Sequence, residues 1–195
     1  MKKTILIIAI IFSLGILFLV NMERNLIINN EKDVQTEYSF KITEKENLNS
    51  VLSEQKYYYT TDYDKKYISV ITCKSDTAVM NQFLTKNGDV IELEMPYDST
   101  VVISLPANRT IAYGWSLDNM NDNSLLQLYD YSWIKIPGNI IGTIKDGENY
   151  DRQNFYFKAS AAGNEDFTMR YQNMSDQSME NEDCFEINFK ITMQK

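Results

Sequence analysis

The sequence predicts an all-β protein whose C-terminal part is an antiparallel β-sandwich of about seven strands. Three observations predict it. Apolar and polar residues alternate with period two, at regular spacing, from about residue 89 onward. No long amphipathic helix competes with that pattern. A charge-free apolar run stands alone at the N-terminus, before a polar stretch. These shifts divide the chain into 1–22, a transmembrane helix or signal peptide, 23–88, a tether and small β-rich extension, and 89–195, the sandwich.

Lys2 and Lys3 precede an uncharged run over residues 4–20, rich in Ile, Leu and Phe. A spanning helix needs about 17–25 apolar residues, and a secretory signal opens the same way. Phe18, Leu19 and Val20 are bulky where a small-x-small cleavage site would stand, which favours an uncleaved anchor. The lysines would stay in the cytoplasm and the rest of the chain would lie outside. The expected location is therefore the cell membrane, as a single-pass protein contacting lipid through residues 4–20, or the exterior if the signal is cleaved. The Met-Lys-Lys start and the Ile, Asn and Lys usage resemble a bacterial secreted protein.

Residues 21–47 are polar and read as a tether, with one short strand at Tyr38–Ile42. Aromatic and β-branched residues at Tyr57–Tyr59 and Tyr67–Ile71 flank a charged turn, as in a hairpin. Asp76 suits the N-cap of a short helix reaching Leu84. The extension is either a small subdomain or a set of strands added to the main sheet.

Strands are expected at Val90–Leu93, Val101–Leu105, Ser132–Ile136, Phe155–Ala159, Phe167–Tyr171 and Phe185–Ile191. Most have one apolar and one polar face, as half-buried strands require. Their number and spacing fit an immunoglobulin-like sandwich, although the Cys-Trp-Cys pattern of antibody domains is absent. Cys73 and Cys184 either bridge across a long loop or stay as two separate thiols.

Composition excludes several function classes. There are 195 residues, 44% of them hydrophobic, with a formal net charge of −8. That charge opposes a sequence-independent grip on nucleic acid. The chain has no histidine, so Ser-His-Asp and Cys-His nucleophile pairs and His-based zinc sites are excluded. No glycine-rich phosphate cradle is present, and two isolated thiols make a poor metal site. The reading is a protein that is not an enzyme and takes no metal or cofactor. Paired carboxylates among Asp146, Glu148 and Asp151 are the remaining catalytic option, and acidic turns are usually just solvated.

The most specific motif is Leu105-Pro106-Ala107-Asn108-Arg109-Thr110-Ile111-Ala112-Tyr113-Gly114-Trp115. It resembles the first inhibitory loop of the chagasin family, whose pattern is roughly L-P-x-N-P-T-T-G-Y/F-x-W. Leu105, Pro106, Asn108, Thr110, Tyr113 and Trp115 match it, whereas Arg109, Ile111 and Ala112 depart. Phe155-Tyr156-Phe157-Lys158-Ala159 resembles the family's x-F-x-F-K-A strand. The resemblance covers about residues 89–195.

It implies a sandwich with three adjacent loops at one end that fill the cleft of a papain-like cysteine protease. The first would comprise Asn108, Arg109, Thr110, Ile111, Ala112 and Tyr113, with Thr110 nearest the protease's catalytic cysteine. Trp115 would be core, and Tyr113 loop support. The second would comprise Gly147, Glu148, Asn149 and Tyr150; only Gly147 survives from the family's glycine-rich turn. The third would comprise Gln172, Asn173, Met174 and Ser175. There the family's Tyr-x-Arg-Pro-Trp is reduced to Tyr171, and Met174 is the apolar residue left. The implied function is reversible, competitive, non-covalent inhibition. The alternative is a cell-surface immunoglobulin-like binding module without protease inhibition, because one fold hosts many functions.

Overall fold

The computed structural model describes residues 26–28, 36–42, 47–120, 124–136, 151–175 and 184–195. The expected membrane segment at 4–20 lies outside them. Among the described residues no helix is long and apolar enough to cross a membrane.

The elements run β1 (Leu26–Ile28), β2 (Thr36–Lys41), α1 (Leu48–Ser53), β3 (Tyr57–Tyr59), β4 (Lys65–Lys74), β5 (Thr77–Lys86), β6 (Val90–Pro96) and β7 (Thr100–Ala107). Then follow β8 (Tyr113–Asp118), β9 (Leu126–Ile134), β10 (Asp151–Ala159), β11 (Gly163–Asn173) and β12 (Phe185–Gln194). A six-stranded sheet has the order β2-β5-β4-β7-β10-β9, and a four-stranded sheet the order β6-β12-β11-β8. They face one another as a β-sandwich. The described pairings are antiparallel except β6 on β12 and β1 on β3, which are parallel, so the sheets are not purely antiparallel as expected.

The core between the sheets holds Val101, Ile103, Leu105, Phe157, Trp115, Phe167, Ile187 and Phe189. Burying each such side chain contributes about 1.5–3 kcal/mol. Phe167 stacks on Phe189 at 5.1 Å between ring centroids and lies 5.6 Å from Phe157. Trp115 meets Phe185 edge-on at 6.2 Å, and its indole N–H donates to the Pro106 carbonyl at 2.9 Å. The indole thereby ties the start of β8 to the end of β7.

The six-stranded sheet is covered on its other face too. Leu52 of α1, Tyr57 and Tyr59 of β3, and Ile71, Met80, Val102, Ile134 and Tyr156 of the sheet form a second core. Tyr57 donates its hydroxyl to the Leu52 carbonyl at 2.9 Å. Gln82, almost wholly buried, accepts from the Tyr58 amide at 3.0 Å and from Ser69 Oγ at 3.1 Å. Its amide donates to the Lys56 carbonyl at 3.0 Å, so both ends of that side chain hold β3 against the sheet.

The structure corrects three expectations. Residues 77–86 form a strand, not a helix: Ala78, Met80 and Gln82 alternate into the second core, and period two overrides the Asp76 cap signal. Tyr57–Tyr59 and Tyr67–Ile71 are both strands but not a hairpin, because β3 pairs with β1 and β4 pairs with β5 and β7. The hairpin is β4–β5, turning through Ser75 in the left-handed region at φ 55°. The strand expected at Ser132–Ile136 runs earlier, over Leu126–Ile134. Strands β2, β4 and β5 extend the main sheet beyond β7. Cys73 and Cys184 are both free thiols.

Arg152 joins these layers. It is buried, with its guanidinium 4.9 Å from the Tyr57 ring centroid. Its Nε donates to Ser104 Oγ at 3.1 Å, Nη1 and Nη2 both donate to the Tyr67 carbonyl at 3.1 Å, and Nη2 donates to Ser69 Oγ at 3.2 Å. Nη2 also donates to the Ser104 carbonyl. Burial pulls its pKa down to about 10, opposed by the Tyr57 and Tyr38 hydroxyls. Arg152→Ala strips the cation from two carbonyls and two hydroxyls. It is expected to lower stability by about 3 kcal/mol, read in urea as a lower midpoint at unchanged slope. An unchanged midpoint would contradict this role.

Candidate functional site

Six strands begin or end at one pole of the sandwich. Strand β7 ends there at Ala107, and its neighbour β10 starts opposite it, with Asp151 paired to Ala107. Strand β9 ends beside them, with Ile134 paired to Arg152. Across the sandwich, β8 starts at Tyr113 opposite Asn173 at the end of β11. Extrapolating the β4–β7 register from Ser69 opposite Ser104 puts the start of β4 at the same pole.

The first loop, residues 108–112, connects the two sheets there. Asn108 is buried, and its side-chain oxygen accepts from the Thr110 amide at 2.8 Å and the Thr110 hydroxyl at 2.6 Å. That turn holds the tip in one conformation while Arg109, Thr110, Ile111 and Ala112 remain exposed. Arg109 leans over the Trp133 ring at 5.9 Å, toward the end of β9. Tyr113 is half-buried and lies 5.8 Å from the Tyr171 ring. Behind the loop, Gln153 bonds both backbone groups of Trp115, accepting from its amide at 2.8 Å and donating to its carbonyl at 3.2 Å.

The third-loop residues lie against the first loop. The Met174 amide donates to the Ala112 carbonyl at 2.7 Å, so the two loops share a hydrogen bond. Met174 also covers Gly114: a Cβ at that glycine would lie 3.3 Å from Met174 Cγ. Gly114 thus allows a close approach that other residues would crowd. Met174 stays more than half exposed. Gln172 donates to Ser116 Oγ at 3.2 Å, and the Ser175 amide to Asn173 Oδ1 at 2.9 Å.

Gly147, Glu148, Asn149 and Tyr150 lie outside the described residues, as do Asp146 and residues 176–183. The stems of that second segment, Ile136 and Asp151, are described. Burial raises the Asp151 pKa, with Lys135, Arg109 and the Ile136 backbone pulling it back down. Among the described residues no cluster of acidic or sulfur groups could hold a metal ion.

Sequence reasoning missed one part of this pole. A groove of about 270 Å³ separates the first loop from the turn between β3 and β4. Tyr58, Asp62, Tyr63, Lys65 and Lys66 line it from β3, β4 and the turn between them, Ile111 and Tyr113 from the first loop and the start of β8, and Tyr171 from β11. The Lys66 ammonium lies 4.8 Å from the Phe185 ring centroid and 5.2 Å from that of Tyr171, and burial pulls its pKa down to about 8. No carboxylate among the described residues forms an ion pair with it. The aromatic run 57–59 was the available signal, but only the long-range pairing of β4 with β7 brings it here.

Residues 94–189 match the family model described as chagasin family peptidase inhibitor I42. Among solved structures, the chain is similar to the cysteine protease inhibitor EhICP2 from Entamoeba histolytica. The identity is 11% and the TM-score 0.40, over 55% of this chain and 88% of that one. No curated protein matches the chain.

The Lys66 environment has a measurable consequence. Its folded pKa is below the unfolded value, so between pH about 8 and 10.5 the unfolded chain holds a proton that the folded chain has released. Its unfavourable contribution is therefore complete below pH 8 and fades as pH rises. Lys66→Met is expected to be more stable than the parent at pH 7, with the gap narrowing toward pH 10. A gap independent of pH would contradict the buried-cation reading.

Proposed function

We propose that this chain, which belongs to the chagasin family of peptidase inhibitors through residues 94–189, is a reversible, competitive, non-covalent inhibitor of papain-like cysteine proteases. Members of the family are inhibitors, not enzymes. The seven strands from β6 to β12 form an immunoglobulin-like scaffold on this reading. Its pole presents the loops 108–113 and 172–175 as one blunt edge, and residues 147–150 are assigned to the same contact by their resemblance to the family's second loop.

The observation that carries the reading is the hydrogen bond from the Met174 amide to the Ala112 carbonyl. It supports a single edge made from two loops, with the Asp151 stem of the second segment beside them, paired to Ala107. Preformed loops lose little freedom on binding, which favours affinity. Thr110 leads this edge. Its hydroxyl donates to Asn108, which leaves its lone pairs free for donors around a catalytic thiolate. Because the edge is a folded turn, no extended peptide bond is offered for attack, and inhibition stays reversible. The run at 4–20 would hold this edge at the outer face of a membrane or direct its secretion.

The alternative, a binding module without inhibition, is favoured by the third loop: Met174 stands where the family pattern has Arg-Pro-Trp. Titrating the full-length protein against papain separates the two. Competitive inhibition is expected, weakened at least tenfold by Thr110→Arg, whose long cation would overfill the position nearest the thiolate. No inhibition by a cooperatively folded protein would sink the reading and leave the binding module.

A further inference from the structure

Inhibition through the loop end leaves a deficit. The third loop lacks the arginine and aromatic side chains that carry much of an interface's energy. The structure offers a replacement on the other side of the first loop, in a part of the chain outside the matched residues 94–189.

The turn between β3 and β4 is held rigidly. The Asp62 amide donates to Thr60 Oγ1 at 3.1 Å, and the Asp64 amide to Asp62 Oδ1 at 3.1 Å. The Lys65 amide donates to the Asp62 carbonyl at 3.2 Å, and Lys65 Nζ pairs with Asp62 Oδ2 at 2.6 Å. At its tip Tyr63 is 82% exposed, the most exposed large hydrophobic residue among those described. A rigid turn bearing an exposed aromatic ring loses little entropy when it docks. Between this turn and the first loop runs the groove that Lys66 helps to line.

We propose that the turn at residues 60–65 is a fourth contact loop of the inhibitor, and that the groove beside it receives an acidic side chain from the rim of the protease cleft. This rests on the inhibitory reading above. The groove's chemistry selects the occupant. Its lining includes tyrosines and Ile111, which suit an apolar stem, while the Asp62 carboxylate that also borders it is neutralised by Lys65. Lys66 also lines it, a cation with no carboxylate partner among the described residues, which suits a carboxylate tip. Lys65, spent on Asp62, does not compete for that tip. The groove is also continuous with the first loop, because Ile111 and Tyr113 line it too. A protease seated on Thr110 would therefore meet Tyr63 and Lys66 with the same rim.

The test uses the full-length protein and papain, with inhibition constants measured at low and high salt. Tyr63→Ala is expected to weaken inhibition about tenfold, and its exposure leaves the fold unaffected. Lys66→Met is expected to weaken it about fivefold and to flatten its salt dependence, a change that a purely structural role would not produce. Thr110→Arg serves as the control for the underlying reading. If the parent inhibits and Thr110→Arg does not, while Tyr63→Ala and Lys66→Met match the parent at both salts, the fourth loop is refuted and the inhibitory edge stands. If the parent does not inhibit at all, both ideas fall together.

Discussion

The structure depends on how one buried cation is accommodated. Arg152 cannot shed its charge at neutral pH, and a guanidinium in a dry core is costly unless its donors are filled. Among the described residues no carboxylate fills them. Carbonyls and hydroxyls from β4 and β7 do, while the Tyr57 ring covers the face. The arrangement requires β4 beside β7, β7 beside β10, and β3 above them. The same alignment brings the start of β4, the end of β7 and the start of β10 to a common pole. A stability constraint in the sheet thereby fixes where the loops emerge.

The loops at that pole are ordered by local bonds. Asn108 organises the first through two bonds to Thr110, and the Ala112 carbonyl connects it to the third. Gly114 permits Met174 to lie flat against the base of the first loop. The departures from the family pattern at Arg109 and Met174 thus have visible partners, Trp133 and Gly114. Ile111 lines the groove facing Tyr63.

Strands with one apolar face were legible because their alternation is local. Residues 167–171 and 185–191 read as strands from sequence and are strands, with alternate residues buried. Pairing was not legible, because it depends on contacts far apart in sequence. The tyrosines at 57–59 looked like half a hairpin but pair with 26–28 and cover a second core. A hint of that second layer was present. Val101, Val102, Ile103 and Leu105 leave β7 almost no polar face, and both faces are buried. At 76–84 a capping residue suggested a helix, and the burial of Ala78, Met80 and Gln82 in one layer decided for a strand. Thr110 and its neighbours were legible from motif spacing. Lys66 was not, since nothing local shows that its partners would be aromatic rings of the facing sheet.

Hydrogen exchange of the full-length protein, alone and with a papain-like protease, addresses the claimed orientation most directly. Added protection confined to residues 60–65, 108–113, 147–150 and 172–175 is the result that fits a protease seated on this pole. Protection centred on the exposed tyrosines of β9, Tyr129 and Tyr131, with the pole unchanged, would contradict it.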